Sequence, residues 1–287
     1  MTIKGKIGVQ MFNLKNKVAE IGAYETMRKI KELGYNYAEV TQIPMTSENV
    51  SELKRASKDF DIKITSISAP LDTMPGMPGE SLKSHFEKIV NDCKALDCKF
   101  IRIGMMPVNL MGHKEKVMTY IQDAEAMANK LAEYGIELYY HNHHIEFEKY
   151  DGACLLDIMK DNTSKLGYEL DVHWIQRGGQ NPVEVIKRFA GRVSLIHLKD
   201  YRIGHMDLTE EDMSDHTKFN QKFTNIIEFA ELGEGNLNIT EIMKAGLESG
   251  VQYFLVEQDD TYGRDPFDCL EISANYLREQ GYAEWFN

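Results

Sequence analysis

The sequence predicts an α/β chain folded as a single (β/α)8 TIM barrel spanning residues 1–287. Three observations predict it. Short β-branched or aromatic runs alternate with longer runs of helical period, the pattern of a parallel sheet with crossover helices. Eight such strand-like runs fit into 287 residues, a usual length for one barrel. No linker or low-complexity segment divides the chain. No G-x-G-x-x-G follows a strand either, so an open dinucleotide-binding sheet lacks its fingerprint.

The strands are expected at 6–12 (KIGVQMF), 37–42 (YAEVTQ), 62–69 (IKITSISA) and 99–105 (KFIRIGM). Four more are expected at 136–142 (IELYYHN), 166–174 (LGYELDVHW), 193–200 (VSLIHLKD) and 252–259 (QYFLVEQD). Between them, apolar residues recur at helical spacing. AYETMRKIKELG (23–34) ends on Gly34, as a helix C-terminus does. SENVSELKRASKDF (47–60) opens on Ser47, a suitable N-cap. Segments 79–98, 114–135 and 238–250 repeat the pattern. NPVEVIKRFAG and DPFDCLEISANYLREQG place Pro182 and Pro266 in the first helical turn, where a missing N–H costs nothing. The one long irregular stretch, 201–235, sits where barrel enzymes place substrate-covering loops.

Composition narrows the function class. The chain is 43% hydrophobic and 27% charged, an ordinary globular mixture. A formal charge of −12 disfavours a nucleic-acid surface, which needs clustered Lys and Arg. No apolar run approaches the roughly 18 residues of a membrane span, and MTIKGKIGVQMF shows no leader h-region. Cys93, Cys98, Cys154 and Cys269 form no CxxC pair, so they read as thiols of a reducing cytoplasm rather than a disulfide or zinc framework.

Titratable residues gather where barrel strands end. Strand five ends in His141, Asn142 and His143, and strand six in Asp171 and His173. Strand seven ends in His197, Lys199 and Asp200, and strand eight in Glu257 and Asp259. Catalytic groups of barrels project from such ends. Strand alternation yields one inward set, His141, Asp171, His197 and Glu257, with His143 the rival ligand on strand five. Two imidazoles with two carboxylates suit one divalent ion such as Mn²⁺, Co²⁺, Fe²⁺ or Zn²⁺. Without a cation, burying those charges together is costly. Asp259 reads as an ordinary strand-exit residue, and ELGEG (231–235) as a turn that can also bring Glu234 to the mouth. Glu39 and Arg102, charged within buried-looking strands, are either substrate contacts or a structural ion pair.

YHNHHIEF, ELDVHWIQRGGQNPVEVIKRFAGR, IHLKD, ELGEG and FLVEQD, in this order, resemble the sugar phosphate isomerase/epimerase family of xylose isomerase-like TIM barrels. The resemblance covers nearly the whole chain. It implies one divalent metal with a ligand from each of strands five to eight. Asp171, His197 and Glu257 match the family's ligands on strands six, seven and eight. Ketose epimerases carry a Glu on strand five, where this chain has His141 or His143, with Glu146 following. The superfamily also holds hydroxypyruvate isomerase, inosose dehydratase, keto-glycoside lyases and endonuclease IV. Endonuclease IV requires extra His and Asp ligands, and the ends of strands two to four (SAPLD, GMMP) lack its His.

The implied chemistry is proton abstraction beside the carbonyl of a keto-sugar or sugar derivative. Glu257 is the candidate base, and His143 or Glu146 the second acid/base. Lys199, His173, Glu39 and Arg102 are the candidate substrate contacts. Reprotonation gives an isomer or epimer; loss of a β-substituent gives a dehydratase or keto-glycoside lyase. A non-catalytic sugar-binding barrel is the remaining alternative. The expected partner is a small sugar, without nucleic acid or membrane. Apolar residues in AEWFN (283–287) are candidates for packing on a second copy.

Overall fold

The computed structural model describes residues 4–73 and 79–287; residues 1–3 of the leader reading, and 74–78, lie outside it. Eight strands close into a barrel: β1 (Lys6–Gln10), β2 (Tyr37–Val40), β3 (Lys63–Ser68), β4 (Phe100–Ile103), β5 (Glu137–His141), β6 (Gly167–Asp171), β7 (Val193–Leu198) and β8 (Tyr253–Val256). Each pairs in parallel with its sequence neighbours, and β8 returns to β1. The expected closed parallel barrel is therefore the observed one.

Strand alternation divides the side chains between two environments. Outward residues such as Ile7, Val9, Ile101, Ile103, Ile196 and Phe254 join one core beneath the helices. Inward residues build layers. At the bottom, Phe100, Tyr139, Leu195 and Leu255 form a separate apolar plug, with Tyr253 against it. Edge-on rings (Phe100 to Tyr139, 5.1 Å between centroids) hold the plug together, each such pair adding roughly 0.5–1.5 kcal/mol beyond its burial. Gly167 makes room for it, since a Cβ there would lie 2.5 Å from the Tyr139 ring. Two residues further along the same strands come Arg102, His141, His197 and Glu257, all buried. One step of the pleat thus converts an apolar plug into a charged interior, in which Arg102 sits against Glu39 and Glu169.

Eleven helices are described: α1 (Lys15–Glu32), α2 (Ser47–Phe60), α3 (Phe86–Ala95), α4 (Lys114–Ala132), α5 (Leu155–Asp161), α6 (Val172–Arg177), α7 (Pro182–Arg188), α8 (Glu210–Ser214), α9 (His216–Thr224), α10 (Ile239–Ser249) and α11 (Pro266–Leu277). α1 joins two helical runs across Gly22 (φ 84°, ψ 161°): an unforecast one from Lys15, and the expected one from 23, where the Glu52 carboxylate accepts the Tyr24 N–H. The N-cap of α2 is Thr46, whose hydroxyl accepts from Asn49 N–H, rather than Ser47. α5 had no sequence forecast. No helix among the described residues is long and apolar enough to cross a membrane. The four cysteines are buried and free. The AEWFN end turns back on its own barrel: Phe286 is buried beside Tyr35, and Trp285 packs on Phe254. Phe286 is thus committed to its own barrel, while Trp285 stays half-buried.

The stretch expected to be irregular carries structure of its own. Asp200–Ile203 pairs antiparallel with Ile227–Ala230, and α8 and α9 lie between the two strands of this ribbon. Asp200 anchors its base. The buried carboxylate accepts N–H groups from Tyr201 (2.8 Å), Leu237 (3.0 Å) and Gly233 (3.4 Å). ELGEG is thus a turn, and Glu234 pairs with Arg202 and Arg264. Replacing Asp200 by Ala strands three N–H groups, so we expect a loss of about 2–4 kcal/mol in urea unfolding. An unchanged midpoint would mean that water replaces the carboxylate.

Candidate metal centre

The ends of β5 to β8 bring His141, Asp171, His197 and Glu257 together, with one donor atom of each lying within 4.8 Å of the others. All four are almost fully buried. Each side chain commits one polar atom to the protein. His141 Nδ1 lies 3.2 Å from the Gly104 carbonyl, a contact that requires the proton on Nδ1. Asp171 Oδ1 caps α6 by accepting Trp174 N–H at 2.9 Å. His197 Nε2 faces Glu39 Oε1 and Glu169 Oε1, both at 3.1 Å. Glu257 Oε1 accepts from Gln10 Nε2 at 3.0 Å.

The opposite atoms, His141 Nε2, Asp171 Oδ2, His197 Nδ1 and Glu257 Oε2, are buried without an aligned hydrogen bond. They are the atoms that face one another: His141 Nε2 to Asp171 Oδ2 is 3.6 Å, and His197 Nδ1 to Glu257 Oε2 is 2.8 Å. Buried polar atoms without an aligned hydrogen bond are rare in native proteins. Four of them converging, two imidazole nitrogens and two carboxylate oxygens, are the donor set of a divalent transition ion.

The electrostatics agree. Burial raises the Asp171 carboxyl to about 7 against the pull of Lys199. Burial also opposes charge on Glu257, but Lys199 and His197 hold it well below the usual range. His197 is held well above its ordinary value because Glu169, Glu257 and Glu39 outweigh its burial. Burial, with Arg102 and His197 close by, keeps His141 neutral. The surrounding carboxylates therefore favour positive charge at His197.

Lys199 is buried, with its ammonium 3.1 Å from Asp171 Oδ2 and 3.0 Å from Glu257 Oε2. Its aligned hydrogen bonds go to both oxygens of Asp259, at 3.1 and 3.0 Å. Asp259, read as an ordinary exit residue, is thus the anchor of Lys199. Trp174 and Phe229 lie over the ammonium, 5.2 and 5.8 Å from it.

Other expected residues fall elsewhere. His143 stands beside the cluster, its ring 4.8 Å from that of His141, and burial lowers its pKa to about 3. It does not join the converging set. His173 does not follow Asp171 inward, because the strand ends at Asp171 and His173 lies in the first turn of α6. It packs among Trp174, Tyr201 and Phe229. Glu146 lies behind β5, fully buried; Tyr140 Oη donates to one oxygen at 2.6 Å and His143 N–H to the other at 2.7 Å. Both of its oxygens are thus engaged by the protein, away from the converging atoms. Glu39 and Arg102 are members of a buried ion network rather than open contacts: Arg102 Nε is 2.7 Å from Glu169 Oε2 and 3.5 Å from Glu39 Oε1.

Glu169 and Gln10 escaped the sequence reading. Glu169 stands two residues before Asp171 on one strand, so period-two alternation puts both on the same face and was the available signal. Gln10 ends β1 at mouth level, but a lone amide at a strand end carries no mark of its own.

A family model described as xylose isomerase-like TIM barrel matches residues 27–280. Inosose dehydratase from Clostridium perfringens is 26% identical over 257 residues, covering 81% of this chain and 82% of that protein. The match to inosose dehydratase from Lacticaseibacillus casei, 26% identical over 156 residues, covers 53% of this chain and spans about half of that relative (51%). The crystal structure of a sugar phosphate isomerase/epimerase from Parabacteroides distasonis superposes with a TM-score of 0.76 at 20% identity, covering 97% of this chain and 99% of that one. That likeness is one of fold.

Glu146→Gln separates support from chemistry. One of its two acceptors is lost, so we expect a stability loss of about 1–3 kcal/mol in chemical denaturation. The folded variant should keep kcat within about twofold, as a structural substitution away from the reacting atoms does. A hundredfold fall in kcat would restore it to the catalytic set.

Proposed function

This chain belongs to the xylose isomerase-like TIM barrel family, and on that premise we propose that it is a divalent-metal-dependent sugar isomerase or epimerase. It would take a proton from the carbon beside the carbonyl of a keto-sugar or sugar derivative and return one to the same or a neighbouring carbon. The carrying observation is the division of labour in His141, Asp171, His197 and Glu257, each with one atom engaged by the protein and its other atom facing a common space without an aligned hydrogen bond. Bound there, an Mn²⁺, Co²⁺, Fe²⁺ or Zn²⁺ ion would act as a Lewis acid toward the substrate oxygens.

The chain's own residues supply the rest. Glu257 is kept ionised by Lys199 and His197, so it can accept a proton at neutral pH. Gln10 holds its other oxygen and aims it. Lys199, clamped by Asp259, is placed to meet negative charge developing on substrate oxygen and to donate a proton. His143, neutral and with Nδ1 unpartnered, is the candidate second acid/base. Trp174, His173 and Phe229 exclude water above Lys199.

One observation favours a second outcome. Two-base epimerisation uses facing carboxylates, whereas the β5 end offers an imidazole, His141. Glu257 with the Lys199 ammonium 3.0 Å away is instead a base and acid on one side of the pocket. That pair suits removal of an α-proton followed by protonation of a departing β-hydroxyl or alkoxyl. The likeness to inosose dehydratases leans the same way.

Purified protein reconstituted with Mn²⁺ should hold about one ion per chain by elemental analysis. His197→Ala and Glu257→Ala should each lose it, and stoichiometric metal in both variants would sink the assignment. In D₂O with keto-sugars and 3-keto-glycosides, the loaded enzyme should exchange the α-proton with solvent. Exchange without elimination marks an epimerase, and elimination marks a dehydratase or lyase. Lys199→Met should keep the metal but slow exchange by roughly 10²–10⁴-fold.

A further inference from the structure

Beneath the four converging residues lies a second charged layer that the proposed chemistry does not use. It comprises Glu39 of β2, Arg102 of β4 and Glu169 of β6, all buried inside the barrel. Glu39, Glu169 and His197 themselves come close enough to hold a cation. Arg102 already fills that need, its Nε 2.7 Å from Glu169 and 3.5 Å from Glu39. Its Nη1 is tied to Ser68 Oγ at 3.0 Å and Thr41 Oγ1 at 3.3 Å. Ser66 Oγ also donates to Glu39. Thr41 and Ser66 thus hold Glu39 by hydrogen bonds, while Glu169 rests against Arg102 as an ion pair.

Both carboxylates present an oxygen 3.1 Å from the same imidazole nitrogen, His197 Nε2. The aligned hydrogen bond goes to Glu39 Oε1, with Glu169 Oε1 beside it, and because a carboxylate only accepts, that nitrogen carries the proton. Nδ1, the atom that faces Asp171 and Glu257, is then the nitrogen that gives up its proton when a metal binds. We propose that Glu169, with Glu39, is a positioning residue: it fixes the tautomer and tilt of His197 so that Nδ1 is presented to the metal. Arg102 makes the two adjacent carboxylates tolerable in a buried layer. The role rests on the metal-site reading above, and it places a determinant of metal affinity one layer below the ligands.

Partners that orient a ligand imidazole are typically worth 10- to 100-fold in metal affinity. The test uses the whole chain. Mn²⁺ and Zn²⁺ dissociation constants are measured by chelator competition for wild type and Glu169→Gln, with thermal melts to establish that the variant is folded. We expect the variant to bind roughly 10- to 100-fold more weakly. A folded Glu169→Gln with wild-type affinity overturns the role while leaving the metal site standing. A wild type that takes up no metal overturns both. A second measurement needs no variant: long-range ¹H–¹⁵N correlation on the Zn²⁺-loaded protein should find the His197 proton on Nε2. A proton on Nδ1 overturns the role.

Discussion

The barrel interior depends on one shared imidazole. His197 stands at the boundary of two charged layers, with Glu39 and Glu169 on one side and Asp171 and Glu257 on the other. Four carboxylates in so small a volume repel one another, and burial denies them water. Three things hold them: Arg102 below, Lys199 above and His197 between. The opposed shifts follow directly. His197 and Arg102 overcome burial to hold Glu39 down at about 2, while burial and its neighbour Glu39 push Glu169 up to about 7. Beneath, the plug of Phe100, Tyr139, Leu195 and Leu255 seals the charged layers from the lower mouth.

The architecture was legible because it is written in period. Strands buried on both faces read as apolar runs, and helices between them show their apolar stripe. What the period could not mark was punctuation. The expected strand six ran to Trp174, but Asp171 caps a helix there, so the chain turns and His173 leaves the inward row. The ribbon of Asp200–Ile203 and Ile227–Ala230 was invisible for another reason. Its two short strands are separated by 23 residues, and only the pairing itself reveals them.

The charged residues divide the same way. Those at strand ends could be placed from alternation alone, which is why His141, Asp171, His197 and Glu257 form one cluster. Roles that depend on contacts between distant segments could not. Glu146 looks like a mouth residue by number, yet the turn after His143 carries it behind β5 to Tyr140. Asp259 looks like a surface exit, yet it clamps the ammonium of Lys199 from the neighbouring strand. Glu39 and Arg102 left two readings open, and a partner on a third strand, Glu169, makes them a network.

The Gly104 carbonyl has a wider reach than its single contact suggests. It accepts a hydrogen bond from His141 Nδ1, a bond a carboxylate cannot make because it has no hydrogen to offer. A glutamate at position 141 would set its negative oxygen against that carbonyl dipole. Side-chain substitution cannot delete a main-chain oxygen, so the loop after β4 screens which residue position 141 accepts. Drift of this chain toward a three-carboxylate centre would therefore have to begin with a backbone rearrangement around Gly104, not with the ligand itself.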